Sequence, residues 1–178
     1  MLAKELGIPE DIEGAVHRII NGKPHSVFLG KISFTRHSLL ITRYFSLMAG
    51  IGFDADAVYG ISGGMKKYSG KCAYIASGLR MLFRYSPVRL SFVVDGTAYG
   101  GYSAIIGKAS RYGGEFKATP DADITKPELY ACLMHGKRRL DALRYVYGIV
   151  TGRHLSFRDV TYLKALSLKI DGTAHVQI

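Results

Sequence analysis

Val88-Arg89-Leu90-Ser91-Phe92-Val93-Val94-Asp95-Gly96 sets apolar side chains at alternate positions and then turns. Val88, Leu90, Phe92 and Val94 face one way while Arg89 and Ser91 face the other, the period-two pattern of a strand with one buried face. Asp95-Gly96 is a two-residue hairpin signal, since both central positions of that turn need a positive φ that Asp and Gly accept. The return strand is predicted over roughly Gly101–Gly107. Further on, Arg111-Tyr112-Gly113-Gly114 reads as a second turn and Glu128–Met134 as another strand. Val160–Ile170 is strand-like, and Asp171-Gly172 turns the chain into Thr173–Ile178.

Helical spacing interrupts this β pattern at a few places. Ile12, Val16, Ile19 and Ile20 recur on one face, with Asp11 as a cap and Asn21-Gly22 as a stop. The residues before Gly7 read as the last turn of a helix. Two strands are expected in Ser26–Ser33 and Arg36–Met48, the second leading into Ala49-Gly50-Ile51-Gly52-Phe53-Asp54-Ala55-Asp56. After the connector Gly60-Ile61-Ser62-Gly63-Gly64, a helix is expected from about Met65 to Arg84, with Cys72, Ala76, Leu79 and Phe83 on its buried face. A second internal helix, about Gly136–Thr151, groups Leu140, Leu143, Tyr147 and Val150, with Gly152 as its cap. Strands joined by hairpins, with two internal helices, make the fold class mainly β: an antiparallel β-sandwich with inserted helices. No internal repeat or composition break divides residues 1–178, so one domain is expected.

Composition agrees. The chain has 178 residues, 48% of them hydrophobic and 21% charged, which excludes a disordered tail or a collagen-like repeat. Its 21 glycines against only 5 prolines fit many tight turns. A net charge of +10 favours anionic partners, whether nucleic acid, phosphorylated small molecules or an acidic membrane face. Cys72 and Cys132 lie in apolar stretches without CxxC spacing, so both are expected to be buried and reduced, as in an intracellular protein. No apolar run is long enough to span a membrane, and no signal peptide is recognisable.

The familiar catalytic motifs are missing. No Gly-rich loop ends in Lys-Ser/Thr, no HExxH occurs, and no Cys/His cluster has metal-ligand spacing. None of the six histidines stands three or four residues from another. Asp54 and Asp56, at i and i+2 in a Gly-rich strand end, would share one side if extended and could accept hydrogen bonds from a hydroxylated ligand. A turn in which Asp54 binds its own backbone is the plainer alternative. Gly63-Gly64-Met65-Lys66-Lys67-Tyr68-Ser69-Gly70-Lys71 could hold a phosphate through helix-start N–H groups and lysine side chains, or be a solvated basic helix end. Asp121 and Asp123 could contribute to a hard-cation site, with a polar turn as the simpler reading.

Four of these segments, in this order, resemble the bacterial diacylglycerol kinase and lipid kinase family, related to sphingosine kinases and more distantly to NAD kinases. Leu6-Gly7-Ile8-Pro9 with Asp11-Ile12-Glu13-Gly14-Ala15 resembles the point where the family's catalytic domain hands over to its second domain. Gly50-Ile51-Gly52-Phe53-Asp54-Ala55 is similar to its GxGFDA segment, Gly70-Lys71-Cys72-Ala73-Tyr74-Ile75 to its GKxAY helix, and Tyr112-Gly113-Gly114 through Pro120-Asp121-Ala122 to its YGGGxxxxPxA segment. The resemblance implies a C-terminal β-sandwich that forms the cleft and the lipid site. It also implies a partner, the NAD-kinase-like N-terminal domain whose GGDGT loop this sequence lacks, so that residues 1–178 are a fragment of a two-domain kinase. The family's late Asp-Gly-Glu, with its candidate base, would follow Ile178.

By the same resemblance, ATP and Mg²⁺ are the cofactors of the full-length parent, and none is expected on this chain alone, which should be inactive. Asp54 and then Asp56 are the expected substrate-binding residues near the lipid hydroxyl, and Lys67 and Lys71 the expected phosphate-binding ones. No residue of the chain is expected to be catalytic or to bind metal. Three departures stand out. Leu47 and Lys108 replace asparagines of the family pattern, and Lys126-Pro127 replaces an Asp-Gly whose aspartate belongs to the family's structural Mg²⁺ site. A lysine ammonium offers no lone pair to a metal. The expected setting is the cytoplasm, with peripheral contact with a membrane surface that carries the lipid; nucleic acid is not an expected partner, and a homodimer stays open. The alternatives are a non-catalytic regulatory domain and a basic nucleic-acid-binding β domain.

Overall fold

The computed structural model describes residues 2–36, 38–53, 87–112, 115–172 and 176–177. The helices are α1 (Leu2–Glu5), α2 (Ile12–Asn21) and α3 (Arg139–Val150), with a short 3-10 turn at His154–Ser156. The strands are β1 (Gly30–Arg36), β2 (Leu39–Phe45), β3 (Met48–Ile51), β4 (Leu90–Val94), β5 (Thr97–Gly101) and β6 (Ser103–Gly107). Then follow β7 (Arg111–Tyr112), β8 (Phe116–Lys117), β9 (Leu129–Met134), β10 (Val160–Ala165), β11 (Leu168–Asp171) and β12 (Val176–Gln177). All described pairings are antiparallel. A five-stranded sheet runs β10-β9-β6-β3-β12 and a three-stranded one β11-β4-β5, with β1-β2 and β7-β8 as separate hairpins. The chain is a predominantly antiparallel β-sandwich with inserted helices.

The alternation in the deciding stretch holds: Leu90, Phe92 and Val94 are buried, while Ser91 is exposed. Val88 precedes the strand and is 43% exposed, so the buried face begins two residues later than its periodicity predicts. These three side chains form one core with Ala49, Ile51, Ala104, Ile106, Ala131, Leu133 and Ala165 of the larger sheet. Register explains how that layer fills. Ala49 lies opposite Ile106, which lies opposite Ala131, while Ile51 lies opposite Ala104, which lies opposite Leu133. Large and small side chains thus alternate across the sheet and leave hollows for Leu90 and Phe92. Each fully buried large apolar side chain contributes roughly 1.5–3 kcal/mol.

The other face of the five-stranded sheet is covered as well. Ile105, Cys132 and Met134 pack with Tyr145 and Ile149 of α3, so β6 is buried at all five positions. Burial pushes the Cys132 thiol up to about 12, which makes it inert as a nucleophile at neutral pH.

Several boundaries differ from those the sequence predicts. The single strands expected over Gly101–Gly107 and Val160–Ile170 each break at a corner, Tyr102 in one and Leu166-Ser167 in the other, where the chain passes from one sheet to the other. The strands expected in Ser26–Ser33 and Arg36–Met48 become the hairpin β1–β2, with Ser38 at φ 63 in its turn, followed by the separate β3. Helix α2 forms as expected, with the Asp11 carboxylate accepting from Gly14 N at 2.6 Å, yet Ile12, Ile19 and Ile20 are more than 70% exposed. Helix α3 presents the opposite face from the one predicted. Leu140, Leu143, Tyr147 and Val150 are exposed, while Ala142, Tyr145, Gly148 and Ile149 face inward. Close approach at one position contributes: a Cβ on Gly148 would lie 2.6 Å from the Phe157 ring, while Tyr145 and Ile149 on the same face pack into the core. The helix expected over Met65–Arg84 lies outside the described residues.

The Asp95-Gly96 turn has the predicted geometry, with φ 45 and φ 89. The Asp95 carboxylate also accepts from Leu166 N, Ser167 N and Ser167 Oγ, which clips this hairpin to the β10–β11 corner. The Ser167 and Leu166 N–H groups hold its pKa below the usual 3.8. A carboxyl with a depressed folded-state pKa stabilises above its unfolded value and loses that contribution as pH falls through the folded one. Asp95→Ala is therefore expected to lower Tm at neutral pH, and the gap to the parent should close as pH falls below the ordinary carboxylate value. Thermal melts between neutral and strongly acidic pH check this; a gap independent of pH would assign the effect to the turn backbone alone.

Candidate functional site

Strand β3 lies inside the five-stranded sheet, between β6 and β12, and carries the segment that leads to Asp54. Its sequence requires the turn that follows. Gly52 has φ +74, and a Cβ there would stand 2.6 Å from Tyr102 O, so both conformation and space exclude a side chain. Phe53 is then buried against Ala142 of α3. These contacts fix where the chain leaves the sheet immediately before Asp54. Asp54, Asp56, Lys67 and Lys71 themselves lie outside the described residues.

The two ends of β3 differ. Val176 pairs with Ile51 and Gln177 with Gly50, so β12 enters beside the Asp54 end and runs toward Met48. At the Met48 end, Leu47 O accepts from Lys108 N at 2.7 Å and Ala109 N at 2.9 Å. Just beyond, the Glu5 carboxylate accepts from Ser110 Oγ at 3.0 Å and Arg111 N at 2.7 Å, docking α1 on the sandwich. Lys4 pairs with Glu10 and Glu115, and Arg111 Nη1 donates to Glu115 at 2.8 Å. Donating hydrogen bonds to Glu10 and Glu115 raises the Lys4 pKa. The N-terminal segment is thus tied to the β6–β7 connection by charged contacts.

The loop from Ala118 to Glu128 packs beside this end. Asp123 forms the polar turn that its sequence allows: its Oδ1 accepts from Thr125 N at 2.9 Å and Thr125 Oγ1 at 2.7 Å, which holds its pKa low. Asp121 N donates to the Tyr162 hydroxyl at 3.1 Å, and the Tyr162 ring stacks on Tyr130 at 5.4 Å. Two of the twelve tyrosines thereby act in packing rather than as free stacking platforms. Lys108, 0% exposed, donates its Nζ hydrogens to the carbonyls of Asp123, Lys126 and Glu128. Burial lowers its pKa, and the Asp123 and Glu128 charges oppose that.

The loop does not fit a divalent metal. Among the described residues no group of three His, Cys, Asp or Glu side chains could hold one. Lys126, in place of the aspartate that the family resemblance implies, is 66% exposed with its Nζ 3.8 Å from Asp123 Oδ2. Carbonyl oxygens that could face a cation face an ammonium instead.

Two further polar features escaped sequence reading. Tyr145 OH donates to Asp159 Oδ2 at 2.6 Å and accepts from Gly136 N at 2.7 Å, with Arg144 on the same carboxylate. Burial alone would raise the Asp159 pKa, but Tyr145 and Arg144 outweigh it and hold it low. His154 is buried and donates from Nε2 to Ala118 O at 2.8 Å. A shallow groove of about 420 Å³ lies between Arg89, Tyr99 and Asp171. No described helix is long and apolar enough to cross a membrane.

Residues 48–178 match the YegS C-terminal NAD kinase beta sandwich-like domain. The chain is 27% identical over 178 residues to a diacylglycerol kinase of Staphylococcus aureus strain RF122, covering 98% of this chain and 54% of that protein. It is equally similar to the diacylglycerol kinase of strain NCTC 8325. Among solved structures, a diacylglycerol kinase from Bacillus anthracis strain Sterne shares the fold, with a TM-score of 0.59 and 15% identity over 98% of this chain and 54% of the other. The chain therefore spans about half the length of the relatives it matches.

Proposed function

The chain belongs to the YegS C-terminal NAD kinase beta sandwich-like domain family, and from that premise we propose that it is the lipid-binding, cleft-forming half of an ATP-dependent lipid kinase. The reaction is transfer of the γ-phosphate of ATP to a lipid hydroxyl at a membrane surface. One observation carries the reading: the family match begins at Met48, the start of β3, the strand that ends in the Gly52 turn immediately before Asp54. A rigid, buried strand end is the kind of support that a substrate-orienting carboxylate needs.

In this reading Asp54 accepts a hydrogen bond from the lipid hydroxyl or from the group that positions it, with Asp56 in support. Lys67 and Lys71 meet the nucleotide phosphates as compact cations. Mg²⁺-ATP, held mainly by the nucleotide-binding half, supplies the phosphoryl group. The net charge of +10 suits transient docking on an anionic bilayer.

Asp54→Asn in the whole two-domain protein is expected to cut kcat about 100-fold, at the low end for a lost acid–base or orienting group, with thermal stability unchanged. The assay is phosphate transfer from labelled ATP to diacylglycerol in mixed vesicles, and the 178-residue chain alone should give only the no-protein blank. Unchanged turnover in the variant would return Asp54 to the role of a turn residue. Phosphorylation by the 178-residue chain alone would overturn the two-half reading.

A further inference from the structure

Strand β6 is buried at every position, and the residue that follows it is a lysine with 0% exposure. An ammonium taken out of water is tolerated only when each of its three N–H groups finds an acceptor. Lys108 meets that condition entirely with main-chain oxygens: Asp123 O at 3.2 Å, Glu128 O at 3.1 Å, and Lys126 O. The Phe28 ring is centred 5.7 Å from Nζ, and Phe28 N donates to Ile124 O at 2.8 Å, so the residue that shields the ammonium is pinned to the same loop. The nearby carboxylates make contacts elsewhere, although Glu128 Oε2 is buried without a hydrogen bond. Asp123 Oδ1 binds Thr125, and Glu128 Oε1 lies 3.6 Å from Lys164 Nζ.

Several carbonyl oxygens converging on one point form the donor set with which loops hold hard cations. In this chain the point is occupied by a nitrogen of the chain itself. The second lysine acts in the same direction, since Lys126 places another cation 3.8 Å from the Asp123 carboxylate. A divalent ion approaching the loop would meet two ammonium groups and have to displace one of them.

We infer that the Lys108 ammonium is the resident cation of the 123–128 loop, fixing by three charge-assisted hydrogen bonds what the family resemblance assigns to a bound Mg²⁺, so that the loop keeps its shape without divalent metal. The inference concerns the fold of the loop and stands whether or not the parent protein phosphorylates lipid.

The test is thermal unfolding of the 178-residue chain and two variants. The parent is expected to melt at one temperature in EDTA, Mg²⁺ or Ca²⁺. Lys108→Met, which keeps the bulk but leaves three part-buried carbonyls without their donors, should lower Tm by roughly 10 °C. Lys108→Ala should also melt low, and ethylammonium chloride, which can place a small ammonium in the vacated space, should raise its Tm more than sodium chloride at equal ionic strength. A parental Tm that falls in EDTA, a Lys108→Met variant that melts with the parent, or ethylammonium acting no better than sodium would each overturn the inference. If neither variant folds, ¹⁵N-lysine spectra of the parent decide. A slowly exchanging ammonium with contacts to the Phe28 ring is expected, and finding none overturns the assignment.

Discussion

Phe92→Ala is expected to cost about 3–5 kcal/mol of stability, near the upper end for a single core truncation. Phe92 is 0% exposed and stands in the middle strand of the three-stranded sheet, facing the alternating large and small residues of the other. Its ring also lies where a Cβ on Gly101 would come within 2.9 Å, so the strand that turns the corner at Tyr102 is packed directly against it. Removing the ring opens a cavity between two sheets, each stiffened by its own hydrogen-bond ladder, so neither collapses readily into it. A fall in Tm of roughly 10 °C follows for a chain of this size. Phe92→Leu, which refills part of the space, should lose about 1–2 kcal/mol. Urea titrations of the three proteins measure both. A Phe92→Ala loss below about 1 kcal/mol would mean that the sheets are not packed face to face.

The second large effect comes from adding atoms. A Cβ on Gly107 would lie 1.9 Å from Thr119 Oγ1 and 2.6 Å from Thr119 Cβ. Gly107 ends β6, which is paired on both sides, with Met48 and with Tyr130, so its backbone has no room to withdraw. Thr119 is fully buried and donates to Ala109 O at 2.9 Å, so it cannot yield without leaving that carbonyl bare. Gly107→Ala is expected to cost about 3 kcal/mol as overpacking plus a broken buried hydrogen bond. Thr119→Gly placed on top should recover part of the loss. Denaturant unfolding of the two single variants and the double variant forms the cycle that isolates the clash. Strict additivity would place the cost of Gly107→Ala elsewhere.

The β-rich class and the turn of the central hairpin were readable because their signals are local, although the return strand is Thr97–Gly101 rather than the predicted Gly101–Gly107. Alternation over Leu90–Val94 and the Asp95-Gly96 dipeptide need no partner to be interpreted, and Asp11 caps α2 through its own next turn. The corners at Tyr102 and Leu166-Ser167 were not readable, since a strand that changes sheets keeps its extended backbone and its apolar run. The inward face of α3 was misread for a related reason. The larger side chains, Leu140 and Tyr147, mark the stronger apolar stripe, but the face turned inward carries Tyr145 and Ile149 against the sheet and Gly148 against Phe157. The same limit applies to the site. Gly50-Ile51-Gly52-Phe53 announces the support for Asp54, because Gly52 answers to a local φ. The cage around Lys108 is built from carbonyls 15 to 20 residues away in sequence, and backbone oxygens leave no mark in composition.

Layers of a sandwich usually change shape by shear, sliding a little over their contact surface. Here the two sheets are continuous through the chain at Tyr102 and at Leu166-Ser167, and the Asp95 carboxylate fastens the second of these corners to the hairpin of the smaller sheet. Sliding one sheet would have to unseat Phe92, strip the Asp95 bonds and strain both corners at once. A sandwich stitched in this way behaves as a single lever. If a cleft beside β3 opens and closes around a lipid, the hinge must lie outside the two sheets, and the β3 end that carries Gly52 moves as part of one rigid body.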